Sequence, residues 1–219
     1  MTSQVIRAIV PKGICRPIVA WWRSLSLRHV RWENLRRLTP ISRVFGLDRG
    51  QPIDRYYIER FLAEHCADIS GRVLEIGDPS YTRKFGGDAV TQSDVLHATP
   101  GNPEATLIGD LATGEGIPKA VFDCMVFTQT YPFIVDVRAA IAHSKAALKP
   151  GGILLATLPG ISQISRYDMD RWGDYWRFTD ASARRLFDDA FGADNVIVET
   201  HGNVLAACAF LHGLAAQEL

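Results

Sequence analysis

Short β-type runs alternate with helical patterns from residue 71 to residue 200, and that alternation leaves few folds open. The stretch that sets the frame is Gly71-Arg72-Val73-Leu74-Glu75-Ile76-Gly77-Asp78. Val73, Leu74 and Ile76 are strand formers. Glu75 stands at the carboxyl end of the run, and Gly77 permits a tight turn and close approach of a ligand. Further strands are expected at Ala89–Leu96, ending near Asp94, at Ala105–Ile108, followed by Asp110, at Phe122–Thr128, at Ile153–Leu158 and at Asn195–Thr200. Helices are expected from Pro52 or Asp54, at Val137–Leu148, ending at Lys149-Pro150-Gly151-Gly152, at Ser182–Phe191, and over the Ala/Leu-rich stretch Val204–Leu219. Strands alternating with helices predict an α/β fold with a mostly parallel sheet covered by helices on both faces. In open sheets of this kind, ligands bind beyond the carboxyl ends of the strands.

Charge divides the chain. Residues 1–45 hold nine Arg/Lys and one acid, Glu33, whereas the remainder holds fifteen basic and twenty-three acidic residues, so a net charge of zero conceals a basic arm and an acidic body. The boundaries read as an arm at 1–45 and a domain at 46–219. In the arm, Trp21, Trp22, Leu25, Leu27, Val30, Leu35 and Leu38 mix with Arg23, Arg28, Arg31, Arg36 and Arg37, a pattern for one or two amphipathic helices. The favoured reading has the apolar face packing on its own domain or on a second copy, as in a homodimer. A peripheral membrane contact through anionic lipid is the alternative. Nucleic acid is disfavoured, because the body is acidic and no recognition motif follows.

No run of about 18 apolar residues suggests a membrane span, and Met1–Val10 lacks a signal peptide's ordering. Cys15, Cys66, Cys124 and Cys208 form no CxxC pair and read as reduced, mostly buried thiols of a cytoplasmic protein. Cys and His show no metal-ligand spacing.

From Gly71 to Pro159 the chain resembles a class I S-adenosylmethionine-dependent methyltransferase of the methyltransferase domain 11 type, and is most similar to bacterial members encoded with or fused to glycosyltransferases. Val73–Gly77 resembles the first cofactor motif, and Asp94 falls where the acid ending the second strand sits. Gly109-Asp110-Leu111 resembles the adenine-side motif. Phe122-Asp123, with Leu148–Gly152, resembles the fourth strand and the turn before the fifth. The resemblance implies a Rossmann-like fold that binds S-adenosyl-L-methionine. It places Glu75, Gly77 and Asp78 under the methionine part, Asp94 and Val95 at the ribose, Asp110 and Leu111 at the adenine, and Gln129 near the transferring methyl. Two departures stand out. The family loop carries glycines where this chain has Pro79, Ser80, Tyr81 and Thr82, so side chains of Tyr81, Thr82 or Arg83 are expected to take over contacts. No signal for the family's seventh strand follows residue 200, which predicts an exposed sheet edge.

Between the fifth strand and the next helix, residues 160–179 form a long connection. Tyr167, Trp172, Tyr175, Trp176 and Phe178 interleave there with Arg166, Asp168, Asp170, Arg171, Asp174 and Arg177. Aromatic faces with carboxylates and guanidinium groups suit a sugar. Tyr167, Arg171, Trp172, Tyr175 and Trp176, with Tyr56 from the first helix, are the expected acceptor contacts. Some of the rings are also expected to pack on the domain. Asp168 is the expected general base, ahead of His201, with Asp170 and His143 as weaker candidates. The leading function is O-methylation of a sugar or glycan-linked acceptor. The alternatives are a weakly active or inactive interaction module that partners a glycosyltransferase, and a methyltransferase for a small metabolite or lipid.

Overall fold

The computed structural model describes residues 36–219, and the compact unit begins at Pro40. The expected basic helices of the arm lie almost wholly outside the described residues. Ser42, 1% exposed, donates to Asp48 and accepts from the Val44 and Gly46 N–H groups, while Phe45 packs on Phe210 at 5.9 Å. Residues 40–45, read from sequence as arm, thus fold with the domain.

Helix α1 (Ile53–Glu64) precedes β1 (Gly71–Ile76). Then come β2 (Val90–His97), β3 (Leu107–Ile108), β4 (Phe122–Thr128), α2 (Val137–Ala147) and β5 (Leu148–Thr157). The short helix α3 (Arg166–Met169), α4 (Asp180–Phe191) and α5 (Val204–His212) complete the order. Five strands form one parallel sheet in the order β3-β2-β1-β4-β5. The order reverses between β1 and β4, the crevice where such sheets bind ligands.

Both sheet faces are buried. Val73, Cys124, Val126 and Leu155 meet Ile58 and Leu62 of α1. Leu74, Leu96, Met125 and Phe127 meet Ala140 and Ile141 of α2 and Phe187 of α4. Alternate residues of one strand serve opposite layers, as the period of two requires. Phe122, at the start of β4, joins Met125 and Phe127 in their layer, where the β4–β5 register shifts between Phe122 and Cys124. Caps fix the helix starts: Asp136 accepts from Ala139 N–H, Thr179 forms a capping box with Ser182, and Asn203 accepts from Ala206 N–H. Gly213, at φ +72°, ends α5 well before Leu219, the expected end.

The sixth strand expected at residues 195–200 does not form. Val196 and Val198 are half-buried and Ile197 and Glu199 exposed, a strand-like alternation, yet the segment joins no ladder. Burial pattern alone does not make a strand; a hydrogen-bonding neighbour is required. The expected open edge is accordingly β5, and α5 packs on α1 through Ile53, Ala206, Ala209 and Phe210. Among the described residues no helix is long and apolar enough to cross a membrane.

Phe127 is fully buried between β4 and the α2/α4 layer. Phe127→Ala should cost about 3–5 kcal/mol of unfolding free energy, read from the urea midpoint at unchanged m-value.

Candidate functional site

Gly77 leaves β1 at φ +82°, and a Cβ there would meet nothing within 4 Å. Only a glycine holds this turn without strain while leaving its inner side clear. Its N–H donates to Leu96 O (3.1 Å), and its carbonyl accepts from Asn102 Nδ2 (2.6 Å). Sequence reasoning missed Asn102; its place in the β2–β3 connection carries no local signal.

The loop without the later glycines is ordered by Glu75. This side chain is 3% exposed, and its two carboxylate oxygens accept from the N–H groups of Tyr81 (3.1 Å) and Thr82 (2.7 Å). Burial pushes the Glu75 pKa above the ordinary carboxylate value, while the Thr82 and Tyr81 hydrogen bonds pull it back. Tyr81 is 6% exposed, and Arg55 of α1 donates to its hydroxyl at 3.0 Å. The side chain expected to contact a ligand here is therefore committed to the fold. Asp78 is exposed and accepts from Ser80 N–H (2.9 Å) in a local turn.

Asp94 sits elsewhere than expected. The strand ends at His97, three residues later, and Asp94 lies level with Leu74, 4% exposed. It accepts from Arg72 Nε (2.6 Å), Thr106 Oγ1 (2.9 Å) and Gln92 Nε2 (3.2 and 3.4 Å). These four contacts take up its lone pairs. Val95 is also inside the sheet, 2% exposed, with its N–H on Thr106 Oγ1.

Asp110 is exposed and accepts from Ala112 N–H (2.7 Å) in the turn after β3. Leu111 is a core residue whose carbonyl meets His143 Nδ1 at 2.8 Å, which occupies that histidine. Gln129 follows β4 at φ +52°, its N–H on Thr157 O, next to the switch point. Gly77, Asp110 and Gln129 thus stand just beyond the carboxyl ends of β1, β3 and β4.

Residues 160–179 leave the carboxyl end of β5 and are pinned at several points. Arg177 grips Asp174 with two hydrogen bonds (2.5 and 2.9 Å), and Asp174 also accepts from Ser165 N–H. Trp176 Nε1 donates to Ile134 O, Tyr175 N–H donates to Pro132 O, and Phe178 enters the core. Trp172 meets His97 edge-to-face at 5.6 Å, so the loop reaches the end of β2. Tyr167, Tyr175 and Trp176 keep 65%, 51% and 40% exposure. Arg171 lies over the Tyr167 ring at 3.5 Å.

The two expected catalytic groups are not brought together by any hydrogen bond or ion pair among the described residues. Asp168 accepts from Ser165 Oγ (2.5 Å) at the start of α3. His201 stacks on Tyr57 of α1 at 6.1 Å and lies 3.6 Å from Glu199. Tyr56 is 45% exposed beside Tyr57. A groove of about 2300 Å³ borders the open edge of β5; it takes in Gln129, Tyr81, Asp168 and His201 but not Gly77, His97 or Asp110. Cys124 is buried and its thiol pushed up to about 12, whereas Cys66 is exposed, against expectation.

No family model matches the chain, and no curated protein matches it. Among solved structures it is similar to a SAM-dependent methyltransferase from Archaeoglobus fulgidus, at 10% identity and TM-score 0.47, over 63% of this chain and 68% of that one. It is similar to the N-methyltransferase NodS from Bradyrhizobium japonicum WM9 in complex with S-adenosyl-L-homocysteine, at 16% identity and TM-score 0.47, over 64% and 76%. The trans-methyltransferase CalH complex with SAH matches at 13% identity and TM-score 0.46, over 68% of this chain and 55% of that one. The Rossmann-like assignment rests on the strand order itself.

Two outcomes follow from this geometry. In Glu75→Gln, the amide NH₂ would face a backbone N–H, so stability should fall by about 1–3 kcal/mol, while Asp78→Asn should leave it within error in urea melts. The Arg177 hydrogen bond holds the Asp174 pKa below its ordinary value. A depressed carboxylate stabilises the fold above its unfolded pKa, about 3.9, and that stabilisation is lost as pH falls through the folded value. Proteolytic protection of residues 160–179 should hold at pH 5, fade below about pH 3.9, and be lost at both in Asp174→Asn.

Proposed function

We propose that the chain is an S-adenosyl-L-methionine-dependent methyltransferase that O-methylates a sugar or glycan-linked acceptor. The observation that carries the cofactor reading is the clear ground inside the Gly77 turn, at the carboxyl edge of the sheet and next to its switch point. The residues present fit the group. Gly77 admits a ligand against the backbone, Asp110 is an exposed acceptor for an exocyclic amine, and Gln129 flanks the methyl-bearing end. Glu75 acts through the loop it orders.

When bound, the cofactor supplies an electrophilic methyl on a sulfonium. The chain's own contribution is alignment and removal of a proton. The exposed rings of Tyr175 and Trp176 offer faces to a sugar, while Arg171, stacked on one face of Tyr167, and Asp170, paired with Arg166, are exposed groups that can meet its hydroxyls. Asp168 is the proposed base, with Ser165 orienting its carboxylate; His201, across α1, is a weaker candidate. A glycosyltransferase partner, and a role for the basic arm in meeting it, belong to the same proposal.

Titration calorimetry with S-adenosylhomocysteine tests the cofactor reading. The wild type should bind with micromolar Kd. Gly77→Ala, which puts a methyl group into the turn, should abolish binding, and Asp110→Ala should weaken it about tenfold, the loss of roughly 1.4 kcal/mol. A folded wild type that binds nothing would favour the interaction-module reading instead.

A further inference from the structure

The proposed cofactor must cross the mouth of the sheet from the Gly77 turn, under its methionine end, to Asp110, at its adenine. Gly77 follows β1 and Asp110 follows β3, so the ribose that joins the two ends passes over β2, the strand between them. Neighbouring strands lie about 4.8 Å apart, which makes the crossing about two strand spacings, the span of a nucleoside. The acid that the resemblance puts at the ribose is not at the end of β2. Asp94 is three residues inside the strand, buried, and saturated by Arg72, Gln92 and Thr106.

His97 is the residue at that end. Ile76 pairs with Leu96, so His97 stands level with Gly77. Its carbonyl accepts from Gly109 N–H (3.1 Å), which ties it to the turn carrying Asp110. The imidazole Nδ1 lies 2.7 Å from Thr99 O. Thr99 N lies farther from the same nitrogen, at 3.3 Å, so the carbonyl is the closer partner; with the proton on Nδ1 toward it, the neutral ring keeps a lone pair on Nε2. The ring is half-exposed, and Trp172 of the long loop stands edge-on to it.

We infer that His97, not Asp94, is the ribose-binding residue of this chain, its Nε2 accepting from one ribose hydroxyl while Trp172 closes the acceptor loop over the contact. This rests on the cofactor reading above and specifies how the chain recognises the sugar of that cofactor. It also has a signature. A carboxylate offers two oxygens and can hold both hydroxyls of a ribose, whereas an imidazole with one lone pair holds one. Recognition of the cis-diol becomes lopsided.

The experiment is calorimetric titration with S-adenosylhomocysteine and with its 2′-deoxy and 3′-deoxy analogues. The wild type should bind one analogue about tenfold more weakly than the other, one hydrogen bond's worth. His97→Ala should bind S-adenosylhomocysteine about tenfold more weakly than wild type and lose the difference between analogues. Trp172→Ala should weaken all three ligands and keep the difference. Asp94→Asn should lower the Tm, because it disturbs the Arg72 pair, yet keep the difference. A His97→Ala protein that still discriminates as wild type does, or an Asp94→Asn protein in which discrimination alone is lost, overturns the assignment while leaving the cofactor reading intact. A wild type that binds none of the three overturns both.

Discussion

The carboxylate of Glu75 is the interaction on which the site depends. It sits at the end of β1, where the chain must leave the sheet, turn at Gly77 and return without the glycines that would make the return easy. Two N–H groups, from Tyr81 and Thr82, converge on its oxygens and order the loop from inside. The cost is a buried acid held close to the hydrophobic layer under α1, visible in its raised pKa. The gain is that Pro79 and Tyr81 take fixed places. Tyr81 is turned into the core and engaged by Arg55, so its bulk does not fill the turn. The clear space inside Gly77 follows from this arrangement.

What could be read from the sequence was whatever a short-range pattern encodes. β4 was readable because apolar residues bounded by turns fill Phe122–Thr128, and α2 because its apolar period ends at a Pro-Gly-Gly stop. The end of β2 was not legible at Asp94 because a motif gives a residue's order along the chain but not the length of its strand. β2 runs on to His97, and only the pairing of Ile76 with Leu96 shows which side chain stands at the mouth. Asn102 and Arg72 were illegible for a related reason: each acts through contacts to distant segments, Asn102 on Gly77 and Arg72 on Asp94 and Asp123.

Residues 195–200 show the opposite failure. Their alternation is that of a strand, and Val196 does pack beside the α2/α4 layer. A strand is nevertheless a property of two neighbours, and β5 ends the sheet without extending its ladder to this segment. The groove bordering that edge takes in Gln129 but not Gly77, His97 or Asp110. A close backbone approach with polar groups beside it is offered instead at the carboxyl ends of β1, β2 and β3, by the Gly77 turn, His97 and Asp110.

The long loop joins these two regions. It begins beyond β5, next to the groove, and its Trp172 reaches His97 at the far side of the sheet mouth, past the ends of β4 and β1. Between those points it is fastened by the Arg177–Asp174 pair and by Trp176 on Ile134 O. A loop held at both ends in this way leaves Tyr167 and Tyr175 facing outward while Trp172, Trp176 and Phe178 make its inner contacts. A half-buried ion pair and an edge-on aromatic contact each hold one geometry for the loop.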